Sequence, residues 1–132
     1  MTSERPEPVW LDSTQVRMLH AASIELFGGA PGLRDPGLLE SALARPVHRW
    51  HYERRQSLSE LAASYAFGIA RNHPFVDGNK RTALLATRAF LFRNGVHFDP
   101  DEIETVSMIE GLAAGRIDEK VLSAWIEASC PS

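Results

Sequence analysis

A chain of 132 residues carrying a formal net charge of −3 has room for one packed core but not for two lobes. Apolar residues make up 44% and charged residues 23%, a globular balance that excludes a disordered chain. The mild acidity excludes a protein that works by nonspecific attraction to nucleic acid or to an anionic membrane. The only cysteine, Cys130, cannot close an intrachain bridge and stands too near the C-terminus to suggest a catalytic thiol, which fits a reducing cytoplasm. Residues Met1 to Pro8 are polar, without the apolar run of a signal peptide, and no segment reaches the length of a membrane span. The expectation is a cytoplasmic protein that forms one domain over residues 1–132, with its core between about Leu11 and Ile126.

Apolar spacing of 3.6 residues recurs along the chain and alternating spacing is almost absent, which predicts an all-α fold of six helices. The first helix is expected from about Asp12 to Phe27, with Val16, Leu19, Ala22, Ser23 and Leu26 on its inner side. Asp12 and Gln15 resemble a capping box, and Gly28-Gly29 supply the stop. A Pro/Gly-rich loop, Ala30 to Arg34, follows. Asp35-Pro36 then reads as a cap with proline in the first turn, opening a short helix that Pro46 ends. The third helix opens on Ser57 with Glu60 three residues on, and runs to about Asn72, burying Leu58, Leu61, Ala62, Tyr65 and Ile69. The fourth runs from Gly78 or Asn79 to Asn94-Gly95. It is apolar on several sides, which predicts the central helix of a compact bundle. Asp99-Pro100 starts the fifth, and Asp118 caps a sixth whose Val121, Leu122, Trp125 and Ile126 face inward.

The chemistry concentrates in one stretch between the third and fourth helices, His73-Pro74-Phe75-Val76-Asp77-Gly78-Asn79-Lys80-Arg81-Thr82. Gly78 and the residues after it put free backbone N–H groups at a helix N-terminus, where the dipole also favours an anion. Asn79, Lys80 and Arg81 add side-chain donors at that end. Cations there cost a few tenths to about 1 kcal/mol each, which an anionic guest would offset. Asp77 is a hard oxygen ligand beside this nest and suits Mg²⁺. His73, one short loop away, can accept a proton from an attacking hydroxyl near neutral pH. The spacing is not that of a P-loop, nor does it match the protein-kinase signature set. The competing structural readings are a loop histidine, a helix-capping Asp77 and a solvated basic face at Lys80 and Arg81. His48 and His51 with Glu53 lack further ligands and give no zinc site. His20 and His97 carry no signal.

The pattern H-x-F-x-[DE]-x-N-K-R resembles the core motif of the Fic/Doc family, and Lys80 with Arg81 resembles its Doc branch. The segment from Gly28 through Ala42 and the stretch ending Arg93-Asn94-Gly95 are similar as well, so the resemblance covers about Leu11 to Ile126. It implies that His73 is the general base and that Asp77 holds Mg²⁺ bridging the phosphates of ATP. Gly78, Asn79, Lys80 and Arg81 would bind those phosphates, and Phe75 would anchor the loop in the core. The Ala30–Arg34 loop would be a flap aligning the target segment, with Arg34 a candidate contact.

Doc-type members phosphorylate elongation factor Tu, halt translation, and are neutralised by an antitoxin whose C-terminal segment folds onto them. Fic members transfer AMP instead and carry an arginine where this chain has Leu84. Leu84 cannot hold a terminal phosphate and Lys80 crowds the glycine position of the Fic pattern, so the expected reaction is γ-phosphate transfer. Gly78 is the one Fic-like residue of the motif. AMP transfer, or a silent antitoxin-binding module, are the alternatives.

Overall fold

The computed structural model describes residues 6–53 and 56–131, and within them the chain is all-α. Six helices follow in order: α1 Ser13–Phe27, α2 Pro36–Tyr52, α3 Leu58–Asn72, α4 Asn79–Arg93, α5 Glu102–Ala113 and α6 Glu119–Ala128. The only β-type pairing among the described residues is an isolated antiparallel bridge between Leu33 and Phe75. Local sequence sets most boundaries. Asp12 with Gln15, and Ser57 with Glu60, form complete capping boxes. Asp35 and Asp118 accept from the amides of Leu38 and Val121. Gly28, at φ 86, ends α1.

The central helix is α3, not α4 as the sequence suggested. It packs against α2, α4, α5 and α6, and ten of its fifteen residues are buried. The physical reason is side-chain size. Ala62, Ala63, Ala66, Ala70, Ser59, Ser64 and Gly68 let neighbouring helices approach on several sides, whereas the fourth helix turns Phe92 to solvent. Tyr65, Phe90 and Trp10 form an aromatic stack through the core, and the Tyr65 hydroxyl accepts from the Leu11 amide at 2.9 Å.

Other boundaries and faces also differ from expectation. Helix α2 does not stop at Pro46 but continues to Tyr52 with the proline buried inside it. A proline in a helix interior costs about 3 kcal/mol, and the second half of α2 makes contacts that offset it. Arg45 and Arg49 both pair with Glu119 of α6, and Trp50 sets its edge against Trp10. Helix α5 starts at Glu102, capped by Asp101 rather than opened by Asp99-Pro100. The Asp99 amide is instead tied to the Ser129 carbonyl at the end of α6. On α6, Leu122 and Ile126 are buried and Trp125 partly so, while Val121 is exposed. On α1, Ala22 and Leu26 face solvent and the buried line runs through Val16, His20 and Ser23. A polar histidine thus occupies the inner face of α1, directly under the loop between α3 and α4.

Candidate active site at the start of the fourth helix

The loop between α3 and α4 carries most of the functional candidates, and its shape is held from several sides. His73 is the C-cap of α3 in the left-handed conformation, φ 51 and ψ 56, the only positive φ among the described non-glycine residues. Such a residue costs on the order of 1 kcal/mol or more and persists only where its surroundings over-determine it. Here the surroundings are the flap. The amides of Arg34 and Asp35 both donate to the Pro74 carbonyl, at 2.7 and 3.0 Å, and the Val76 amide donates to Gly32 at 3.0 Å. Beneath the loop, the Asn79 side chain closes a ring on one residue. Its Oδ1 accepts from the Phe75 amide at 3.0 Å and its Nδ2 donates to the Phe75 carbonyl at 2.9 Å. Phe75 is buried and anchors the loop in the core.

The outcome is a cleft of about 500 Å³ bounded by Phe27, Gly28, Gly29, His73, Val76 and Asp77, with Gly78 to Arg81 at its base. The size falls within the usual range for a small-molecule site. The His73 imidazole is exposed on its wall and hydrogen-bonds to no other described residue, so both ring nitrogens are open to a guest. Asp77 is also exposed. Its Oδ2 accepts from the Ala30 amide at 3.1 Å and its Oδ1 from the Gly78 amide at 2.8 Å. The Ala30 and Gly78 N–H groups hold its carboxyl below the usual carboxylate range; desolvation opposes them, and Arg81 and His20 add a lesser lowering pull. Asp77 is therefore ionised at neutral pH.

Helix α4 opens differently from the other five. Each of those has an Asp or Ser cap accepting from a first-turn amide, whereas α4 begins on Gly78 at φ 76 with no side-chain cap. Asp77 turns its carboxylate to Ala30 and Gly78 rather than capping the first turn. The amides of Asn79, Lys80 and Arg81 remain as donors at the positive end of the dipole.

The side chains of these residues do different work. The Asn79 side chain belongs to Phe75, so only its backbone N–H is open to a ligand. Lys80 pairs with Glu110 of α5 at 3.0 Å. Arg81 donates to the Gly28 carbonyl at 2.7 Å and lies over the Phe27 ring. Its buried Nε has no acceptor among the described residues. Arg34 is not aimed into the cleft. Its Nε donates to the His73 carbonyl at 2.7 Å and its Nη2 to that of Asn72 at 2.9 Å, a cation seated on the C-terminus of α3.

Residues 10–91 match the Fic/DOC family. This chain belongs to the Fic/Doc family. It is 44% identical over 100 residues to "Protein kinase doc" of Escherichia phage P1, covering 75% of this chain and 78% of that protein. It is also 44% identical over 100 residues to "Toxin Doc" of Mycolicibacterium smegmatis, covering 72% of this chain and 75% of that protein. Within the family it falls in the Doc branch. The family match spans α1, the flap, α2, α3 and most of α4, and so contains every residue of the cleft.

A larger cleft of about 600 Å³ lies elsewhere in this Fic/Doc chain, between α2 and α6. Its charges neutralise one another, since Glu119 takes both Arg45 and Arg49, and Arg49 also reaches Glu53 at 3.3 Å. That arrangement is an inter-helix staple. The residue that sequence reasoning missed is His20, which is buried, stacked on Phe75 and hydrogen-bonded to Asp77. Its one local signal is its place on the α1 face that also carries Val16 and Ser23. Among the described residues no helix is long and apolar enough to cross a membrane.

Proposed function

We propose that this protein is a toxin that transfers the γ-phosphate of ATP, with Mg²⁺, to a hydroxyl of a translation factor, elongation factor Tu being the substrate and a cognate antitoxin the restraint. The single observation that carries the reading is the convergence of three groups on one cleft: the free imidazole of His73, the ionised Asp77 carboxylate, and the uncapped first turn of α4. The relatives named as a protein kinase and as a toxin point the same way.

The residues fit the groups that such a reaction requires. No cluster of three metal-ligating side chains is found among the described residues. That suits Mg²⁺, which characteristically takes one or two carboxylates and completes its shell with water and phosphate oxygens. Asp77 is the residue that would hold it, since each carboxylate oxygen keeps a lone pair beyond the backbone bond it accepts. Bound there, the ion would supply neutralisation of phosphate charge. The amides of Asn79, Lys80 and Arg81 would bind the phosphates, with Gly78, whose own amide is held by Asp77, opening the turn and the Arg81 guanidinium adding charge at the same end. His73 would take the proton from the acceptor hydroxyl as it attacks. The clipped flap, whose backbone already pairs with Pro74 and Val76, would align the segment that carries that hydroxyl. Positioning and charge neutralisation supply most of the rate in phosphoryl transfer, and these are what a rigid loop between two helices offers.

Leu84 favours phosphate over AMP transfer, because one turn along α4 from Lys80 it offers no charge for a terminal phosphate. Pairing of Lys80 with Glu110 leaves that preference resting on Leu84 alone. The experiment is an intact-mass measurement of elongation factor Tu incubated with this protein, ATP and Mg²⁺. The expected result is a gain of one phosphate that His73→Ala abolishes. A gain of one AMP would replace the kinase reading with nucleotidyl transfer. An unchanged mass would remove elongation factor Tu as the target.

A further inference from the structure

We propose that His20 is a positioning residue for the cleft: its imidazole fixes the orientation of the Asp77–Gly78 peptide and, through it, of the Asp77 carboxylate. The starting observation is a histidine only 4% exposed on the inner face of α1. A buried imidazole requires a partner for its N–H. Here Nε2 lies 2.8 Å from the Asp77 carbonyl oxygen. A carbonyl can only accept, so Nε2 carries the proton and donates. The ring plane is fixed as well, because it lies on Phe75 with centroids 3.9 Å apart and planes 10° from parallel.

The consequence follows from the planarity of the peptide bond. The Asp77 carbonyl and the Gly78 N–H belong to one rigid group, so holding the oxygen fixes the direction of the hydrogen. That N–H donates to Asp77 Oδ1 at 2.8 Å. Gly78 stands at φ 76, where glycine also permits the flipped peptide, so an external restraint decides which orientation persists. His20 supplies it from α1, and Asn79 supplies the matching restraint on Phe75 from α4. The loop is thus pinned at Phe75 and at Asp77, with exposed Val76 between them. In the flipped orientation Gly78 would no longer donate to the carboxylate, and Asp77 would keep only the Ala30 amide.

The inference rests on the reading of the cleft as a Mg·nucleotide site only where affinity is concerned; the peptide orientation has its own readout. Two variants separate hydrogen bond from packing. His20→Phe keeps an aromatic ring against Phe75 and removes the donor. His20→Gln removes the ring and keeps an N–H at similar reach. Thermal unfolding, the amide proton resonances of Gly78 and Ala30, and Mg·ATP titration are measured on each. For His20→Phe the midpoint should stay within a few degrees of wild type. Its Gly78 resonance should move upfield as that amide loses its carboxylate acceptor, while Ala30 keeps its own and stays near its wild-type position, with at least a tenfold loss of Mg·ATP affinity. His20→Gln should keep both resonances in place and retain most of the affinity.

Wild-type resonances and affinity in a folded His20→Phe would overturn the proposal and leave His20 as packing. So would displaced resonances in His20→Gln, which also decides the matter should the Phe variant not fold. Wild-type protein that binds no Mg·ATP would sink the nucleotide reading, and the two amide resonances would still decide the role of His20.

Discussion

Arg34 grips the end of the helix that presents His73: its Nε donates to the His73 carbonyl at 2.7 Å and its Nη2 to the Asn72 carbonyl at 2.9 Å. Helix C-termini leave carbonyls without partners, and a forked cation satisfies two of them while complementing the dipole. Because His73 is left-handed at this cap, the same contact fixes where its imidazole emerges.

Arg34→Lys should therefore be a poor replacement despite conserving charge, because a single ammonium cannot reproduce two divergent donors. We expect both Arg34→Ala and Arg34→Lys to lower the unfolding midpoint by roughly 2–6 °C, corresponding to about 1 kcal/mol for an exposed charge-assisted contact. The proposed transfer activity should fall by about tenfold or more, as misplacing the proposed base is costly. Mg·ATP affinity should hold near wild type, since Asp77 and the first turn of α4 are untouched. A Lys variant with full turnover would show that charge alone suffices.

Gly29 and Gly28 offer a paired test of how the end of α1 meets the site. A Cβ on Gly29 would lie 2.9 Å from Asp77 Oδ2 and 3.0 Å from Ile24 Cδ1, whereas one on Gly28 would meet nothing within 4 Å. Both have positive φ, +119 and +86, so alanine at either should cost about 1–3 kcal/mol in backbone strain. Only Gly29→Ala pushes on the proposed metal-holding carboxylate. Both variants should melt several degrees early, but Mg²⁺-dependent ATP binding, measured calorimetrically, should weaken in Gly29→Ala alone. Equal losses of affinity would sever the link between Gly29 and Asp77.

The parts of this fold that were legible in the sequence are those encoded within one turn of chain. Asp12, Asp35, Ser57 and Asp118 cap helices because their side chains reach amides two or three residues on. The motif loop was legible for the same reason. What sequence reasoning missed depends on partners far along the chain. His20 meets Asp77 across 57 positions and Arg34 meets His73 across 39. Helix α2 outlasts Pro46 because Glu119, 70 positions away, holds Arg49. The central place of α3 follows from small residues on several faces, a pattern that apolar periodicity weights too lightly.

Gly68 tests that last point. It stands inside α3, where alanine would ordinarily gain about 0.5–1 kcal/mol from propensity. A Cβ there would lie 3.0 Å from both Cα and Cβ of Ala42 and 3.3 Å from the Ala42 carbonyl oxygen on α2. Two of these are backbone atoms and cannot swing aside, and overpacking of this kind costs about 1–3 kcal/mol. Gly68→Ala should therefore destabilise on balance, with a lower denaturant midpoint and an unchanged slope. A midpoint at or above wild type would mean that α2 and α3 can separate at little cost.

Tyr65 gives the pH prediction. Burial raises its phenol from 10.0 to about 12, the nearby Asp12 charge adds to the rise, and the Leu11 hydrogen bond partly opposes it. A folded-state pKa above the unfolded value means that the folded protein holds the proton more tightly. The associated stability is fully present below about pH 10, declines as pH rises toward 12, and levels off beyond. Each pKa unit corresponds to about 1.4 kcal/mol, so the loss across this window is roughly 2–3 kcal/mol. The chain has only two tyrosines, Tyr52 and Tyr65, and Tyr52 is exposed. Tyr52→Phe therefore isolates the buried phenol for an absorbance titration. We expect phenolate absorbance in this variant to appear only toward pH 12, or together with loss of helical circular dichroism if unfolding comes first. A phenolate step near pH 10 with the helices intact would show that the Tyr65 hydroxyl reaches water in the folded state. The contact with Leu11 would then have to open far more readily than its 2.9 Å length implies.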